Sequence, residues 1–165
     1  KDLEMNKAQL IEIERETENT RQLLSRLKEE HFSYKPHEKS MSLIQLASHI
    51  VELHNWVKEA LSGAYFDFPT MYKPFEAQSV QELLNVLNNG YTANVETISN
   101  ITEEDWKSIW KLKAGDYVIA EVPKSAAYRF IIQNHLVHHR GQLTVYMRML
   151  DIPLPGLYGP SADEK

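Results

Sequence analysis

Apolar residues recur along the chain with the three- and four-residue spacing of amphipathic helices. Residues 3–30 predict one long helix, with Leu10, Ile13, Thr17, Leu24 and Leu27 on one stripe and Glu and Arg on the opposite face. Pro36 breaks the pattern inside SYKPHEKS. A second helix is expected from Ser40 or Ser42 to about Ser62, carrying Leu46, Ile50, Leu53, Val57 and Leu61 inward. Ser42 with Gln45 makes a capping box at its start, and Gly63 supplies the stop. Residues 63–78 read as an aromatic, proline-containing loop. A third helix opens on the Ser79–Glu82 capping box and buries Val80, Leu84, Leu87, Tyr91 and Ile98. Gly90 within it costs about 1 kcal/mol relative to alanine.

Residues 101–122 change period. Thr102 caps a short turn, and two alternating runs around Ala114-Gly115-Asp116 predict a β-hairpin near residues 108–122, or an extended loop. The last helix is expected from Pro123–Ser125 to about Leu150, where Pro153 and Pro155 stop it. The fold class that follows is all-α: a four-helix bundle with long crossover loops, in a single domain over residues 1–165. The connections after the second and third helices are long for an up-down bundle, so at least one is expected to cross the bundle end.

Composition narrows the function. Of 165 residues, 18 are basic and 23 acidic, a net charge of −5 that offers no basic face for nucleic acid or anionic membrane. Cysteine is absent. That excludes disulfides, thiolate ligands and a cysteine nucleophile, and it fits the cytoplasm. No apolar run is long enough to span a membrane. The chain opens on Lys1 rather than Met, so upstream residues are expected.

The chemistry concentrates in NHLVHHRGQLTVY, residues 134–146. Each helical residue turns about 100°. His139 therefore lies about 40° from His135, and Gln142 about 20° to the other side. Tyr128 and Tyr146 fall on the same line, flanked by Ile131, Ile132, Met149 and Leu150, which should face the core. Asn134, Val137 and Arg140 point elsewhere. Histidines at i and i+4 on an inward face can hold one cation between them, and a tight site wants a third ligand. His49 on the second helix is the best third ligand, because it shares a face with Leu46, Leu53 and Trp56. His54, about 140° away, should face solvent or the side of the bundle. The alternative is a pair of core-edge histidines bonded to tyrosine and glutamine. No HExxH string occurs, and no Glu has a His three residues later, which argues against metalloprotease and di-iron templates. Glu52 and Gln142 are weaker catalytic candidates: either could orient a ligand or a water, and Glu52 could be a general base. Arg140 and the loop aromatics Tyr65, Phe66, Phe68, Tyr72 and Phe75 shape a substrate mouth, pack the bundle end or make a dimer contact.

HLVHHRGQLTVYMRMLDIPLPGLYGPSADE resembles the C-terminal signature of the DinB (damage-inducible) family of metal-dependent proteins, and SLIQLASHIVEL resembles its second-helix motif. The likeness runs over nearly the whole chain. It implies a four-helix bundle, usually dimeric, holding zinc or nickel on three histidines, which map to His49, His135 and His139. Wider relatives of that fold include thiol S-transferases, so the resemblance implies a small-molecule substrate with a low-molecular-weight thiol as cosubstrate. Activation of water in a hydrolase, or a non-catalytic ion stapling helices in a stress response, remain the alternatives.

Overall fold

The structure is a computed structural model that describes residues 2–164. The helices and strands run in the order α1 (Asp2–Leu24), α2 (Leu43–Ser62), β1 (Tyr65–Asp67), α3 (Phe68–Met71), α4 (Val80–Asn100), α5 (Glu103–Lys107), β2 (Ile109–Ala114), β3 (Tyr117–Pro123), α6 (Lys124–Ala126), a π-helical segment (Ala127–Gln133) and α7 (Asn134–Met149). Four long helices form the bundle. α2 packs between α4 and α7, and α1 lies along α4. Among the described residues no helix is long and apolar enough to cross a membrane.

The helix starts follow from the capping residues. The Ser42 side chain accepts from the Gln45 amide while the Gln45 side chain answers the Ser42 amide. The Ser79 and Thr102 side chains accept from the Glu82 and Asp105 amides. Each cap satisfies donors that a helix start leaves orphaned. The first helix is shorter than the expected 3–30: it ends at Leu24, and a separate 3-10 turn covers Glu29–His31. Leu27, just past its end, still packs in the core. α1 must end early because the chain has to swing across the bundle end, where Tyr34 and Phe32 carbonyls accept from the Leu43 and Ile44 amides.

The core has two lobes. One gathers Leu23, Leu24, Leu46, Ile50, Leu53, Leu83, Leu87, Leu143 and Met147. The other surrounds fully buried Trp110 with Ile13, Val57, Ile98, Trp106, Tyr128 and Ile132. Buried polar side chains lock helices between them. Asn94 of α4 donates to the His54 carbonyl at 2.7 Å and accepts from the Lys58 amide at 3.1 Å, bridging the two partners of one helical step in α2. Gly90 sits one turn earlier because Asn55 fills the space beside it: a Cβ there would fall 1.7 Å from Asn55 Oδ1.

The hairpin exists, and it belongs to a three-stranded sheet in the order β1-β2-β3. β2 and β3 pair antiparallel, and Gly115, with φ of +63°, leads the two-residue turn between Ala114 and Tyr117. β1 comes from the expected loop and pairs parallel with β2, Tyr65 opposite Lys111 and Asp67 opposite Lys113. Asp67 joins turn and strand by accepting from the Gly115 amide at 2.8 Å. The bond from the Thr70 hydroxyl first, and then the one from Gly115, hold its carboxyl below the usual carboxylate range. The tail after α7 is ordered by side chains reaching backward: Asp163 accepts from Arg148 and from the Leu154 amide, both at 2.8 Å.

Candidate metal centre

Three histidines from two helices meet on one side of the bundle. His49 comes from α2; His135 and His139 come from α7. One ring nitrogen from each lies within 4.8 Å of the others. The His135 and His139 Nε2 atoms are 2.9 Å apart. The His49 ring stands edge-on to both, with centroids 5.3 Å from His135 and 4.7 Å from His139.

The second ring nitrogens are engaged outside the cluster. His49 Nδ1 donates to Glu52 Oε2 at 3.4 Å, one helical turn further along α2. A carboxylate only accepts, so in the neutral ring the proton sits on Nδ1 and Nε2 carries a lone pair. His139 Nδ1 is 2.8 Å from Gln142 Oε1, which places its proton in the same way. The His135 ring has the Ile131 carbonyl as its partner. Burial holds the His135 pKa below its ordinary value, with the neighbouring His139 and His49 adding to the shift and the Ile131 carbonyl opposing it. Burial also lowers His139, against the Gln142 bond. In their neutral form the three imidazoles would turn lone pairs inward, a chemical match for a divalent cation. All three rings are only half-buried, so the cluster is reachable from solvent.

Glu52 has further partners. Its Oε1 accepts from the Phe75 amide at 3.0 Å and from the Tyr72 hydroxyl at 3.3 Å. The carboxylate thus ties the loop after β1 to the His49 ring. Gln142 meets His139 from the exposed side of α7.

The remaining expected residues lie elsewhere. Tyr128 is buried in the Trp106 lobe with its hydroxyl donating to Glu12 at 2.9 Å. Burial and that carboxylate drive its pKa up. Counting at 100° put Tyr128 on the histidine stripe; the intervening π-helical turns advance less per residue and shift the phase. Tyr146 donates instead to the Met41 carbonyl at 3.0 Å. Met149, expected at the core, is 65% exposed, because the face bearing the histidines straddles the edge of α7's contact with α2.

His54 and Arg140 are corrections in the opposite sense. Expected at the surface or side, His54 is 3% exposed. A helix enclosed by neighbours on two sides buries more than one stripe. Its Nε2 meets Thr20 Oγ1 at 2.8 Å, and its pKa is lowered to about 3 by burial first, then by the charges of Arg140 and Arg21. Arg140, 1% exposed, ion-pairs with Glu16, donates to the Glu16 carbonyl at 3.0 Å and to Thr20 Oγ1 at 3.3 Å, and meets the Tyr158 hydroxyl. It shapes no substrate mouth. It fastens α7 to α1 and to the tail directly beside His139. The signal for it in the sequence was only an arginine one residue past a histidine, with no indication of its partner 124 residues earlier.

A helical bundle whose second and last long helices bring three histidines together defines a class of bundles with a three-histidine cluster that could hold a metal ion. The family model described as DinB family matches residues 5–165, and the chain belongs to that family. Among curated relatives, the uncharacterized protein YrdA of Bacillus subtilis (strain 168) is 25% identical over 153 residues, covering 90% of this chain and 85% of YrdA. The uncharacterized protein YjoA of the same organism is 29% identical over 134 residues, covering 78% and 80%. The crystal structure of a DinB-like protein from Bacillus cereus ATCC 10987 is similar with a TM-score of 0.64 at 28% identity, covering 87% of this chain and 91% of that one. The crystal structure of B. subtilis YjoA, a DinB-like protein, has a TM-score of 0.65 at 22% identity, with 87% and 93% covered.

Proposed function

We propose that this chain is a divalent-metal-dependent enzyme acting on a small molecule, a low-molecular-weight thiol S-transferase. His49, His135 and His139 are the ligands, and zinc or nickel is the ion. The observation that carries this reading is the 2.9 Å approach of His135 Nε2 to His139 Nε2, while Gln142 occupies the outer nitrogen of His139. Two lone pairs facing each other at that distance repel, and a cation between imidazoles turns the repulsion into coordination. Bound there, zinc or nickel supplies Lewis acidity that favours a thiolate or an activated water near neutral pH.

The chain's own residues do the rest. Glu52 and Gln142 fix the proton positions and orientations of His49 and His139, which keeps their Nε2 atoms available. Among the described residues the cluster consists of three imidazoles, which suits an open rather than a closed coordination sphere. With no cysteine in the chain, a thiol arrives as cosubstrate. The proposal includes a cytoplasmic homodimer, for which the π-helical segment offers Phe130 and α7 offers Val137, Val145 and Met149, between 40% and 68% exposed.

The test is metal analysis of untagged protein combined with a transfer screen over bacillithiol, mycothiol, glutathione and coenzyme A. About one zinc or nickel per chain is expected, lost in His135→Ala together with turnover. Equal metal content in wild type and His135→Ala removes the site. Metal held by the wild type without activity on any thiol, and a melting temperature that falls in His135→Ala, would favour a hydrolase or a non-catalytic staple between α2 and α7.

A further inference from the structure

The loop between α2 and α4 builds a cleft beside the histidine cluster. On α2, Glu52, Trp56 and Glu59 follow at spacings of four and three, so they share one side of the helix. Phe66 of β1 and Tyr72 and Phe75 of the loop line the other side, and the open cleft has a volume of about 370 Å³. That volume falls in the range of small-ligand sites. The rings support one another: Trp56 and Phe66 centroids are 4.8 Å apart, Phe66 and Phe68 5.5 Å, Phe68 and Tyr72 5.9 Å. Trp56 and Phe75 are half-buried, which leaves ring surface for a ligand.

The walls select charge. Aromatic faces carry a negative quadrupole, and the lining adds two carboxylates, Glu52 and Glu59, against one ammonium, Lys73. Glu52 is already engaged by His49, Tyr72 and the Phe75 amide. Glu59 is exposed at the cleft. An anionic ligand would meet both carboxylates, and a neutral one would gain no charge attraction from them. A cation gains from rings and carboxylates together. We propose that this cleft binds an organic ammonium group, that is, an amine or alkylated amine carried by the substrate.

Adjacency to the cluster is direct, since the Glu52 carboxylate forms the cleft wall with one oxygen side and meets His49 with the other. The ammonium end would be held here while the remainder of the molecule reaches the histidines. That second half, and only that half, rests on the metal-enzyme reading.

The experiment compares choline with its uncharged isostere 3,3-dimethylbutan-1-ol. Binding is followed by the indole N–H resonances of 15N-labelled protein, in metal-free and zinc-loaded samples. The chain has three tryptophans, and Trp56 is the half-buried one, identified by its loss in Trp56→Phe. Choline is expected to shift the Trp56 resonance saturably and to bind about tenfold more tightly than the isostere. Glu59→Gln should weaken choline several-fold and leave the isostere unchanged. An isostere that binds as well as choline, pivalate that binds better, or no saturable shift with choline each overturns the proposal. Metal content of the same samples separates the two readings. Choline binding by protein that takes up no zinc supports the cleft and removes the metal site. Zinc uptake without choline binding overturns the cleft alone.

Discussion

His54 makes stability depend on acid in a calculable way. In the fold it is enclosed by α1, α4 and α7, bonded to Thr20, and its pKa is lowered from 6.5 to about 3 by burial and by the Arg140 and Arg21 charges. In the unfolded chain it titrates near its ordinary value. Between these two values the unfolded state binds the extra proton, so stability falls as pH drops below about 6.5. Each pH unit in that window costs about 1.4 kcal/mol, which amounts to about 2 kcal/mol at pH 5 and approaches about 5 kcal/mol near pH 3. Replacing the ring by one that cannot titrate, His54→Phe, removes this dependence. At pH 7.5 the variant should lose about 1 kcal/mol for the missing Thr20 bond, because Arg140 still donates to that hydroxyl. By pH 5 it should equal or exceed the wild type. Urea unfolding of both proteins in chelator at pH 7.5, 6 and 5 measures the difference, and taking the difference cancels the other histidines. Parallel stability-against-pH curves for wild type and His54→Phe would refute the reasoning.

Glu16→Ala strands the buried Arg140 guanidinium and should cost about 3 kcal/mol in urea unfolding, whereas Glu16→Ala combined with Arg140→Met should recover a large part of that loss. A double variant no more stable than Glu16→Ala alone would mean that the ion pair itself, rather than the uncompensated charge, carries the effect. The two helical glycines should behave oppositely. Gly141 has open space where a Cβ would sit, so Gly141→Ala should stabilise by about 1 kcal/mol. Gly90→Ala must push Asn55 aside and should show that gain only when Asn55→Ala accompanies it, a coupling that a double-mutant cycle in thermal unfolding reads directly.

Local physics explains what was legible before any coordinates. Periods of three and four mark the long helices, the Ser42, Ser79 and Thr102 caps mark their starts, and Gly115 marks the hairpin turn, because each depends on residues within one turn of itself. The His135–His139 pair is of the same kind: i,i+4 geometry on a regular helix brings the two rings together without help from the rest of the chain. His49 could be selected as a third partner from its face on α2, but the meeting itself required α2 and α7 to pack side by side.

Tertiary structure decided everything that depends on partners distant in sequence. β1 was hidden inside an aromatic loop, since three residues acquire strand character only by pairing with β2, over 40 positions later. The π-helical segment moved Tyr128 off the histidine stripe, and its ring stands edge-on to Trp106, which the chain places more than 20 positions earlier. His54 and Arg140 carry charges or potential charges that an isolated helix would turn to water. They are buried because α1 brings Thr20 and Glu16 to meet them, and burial of polar groups is tolerated only where such partners are supplied.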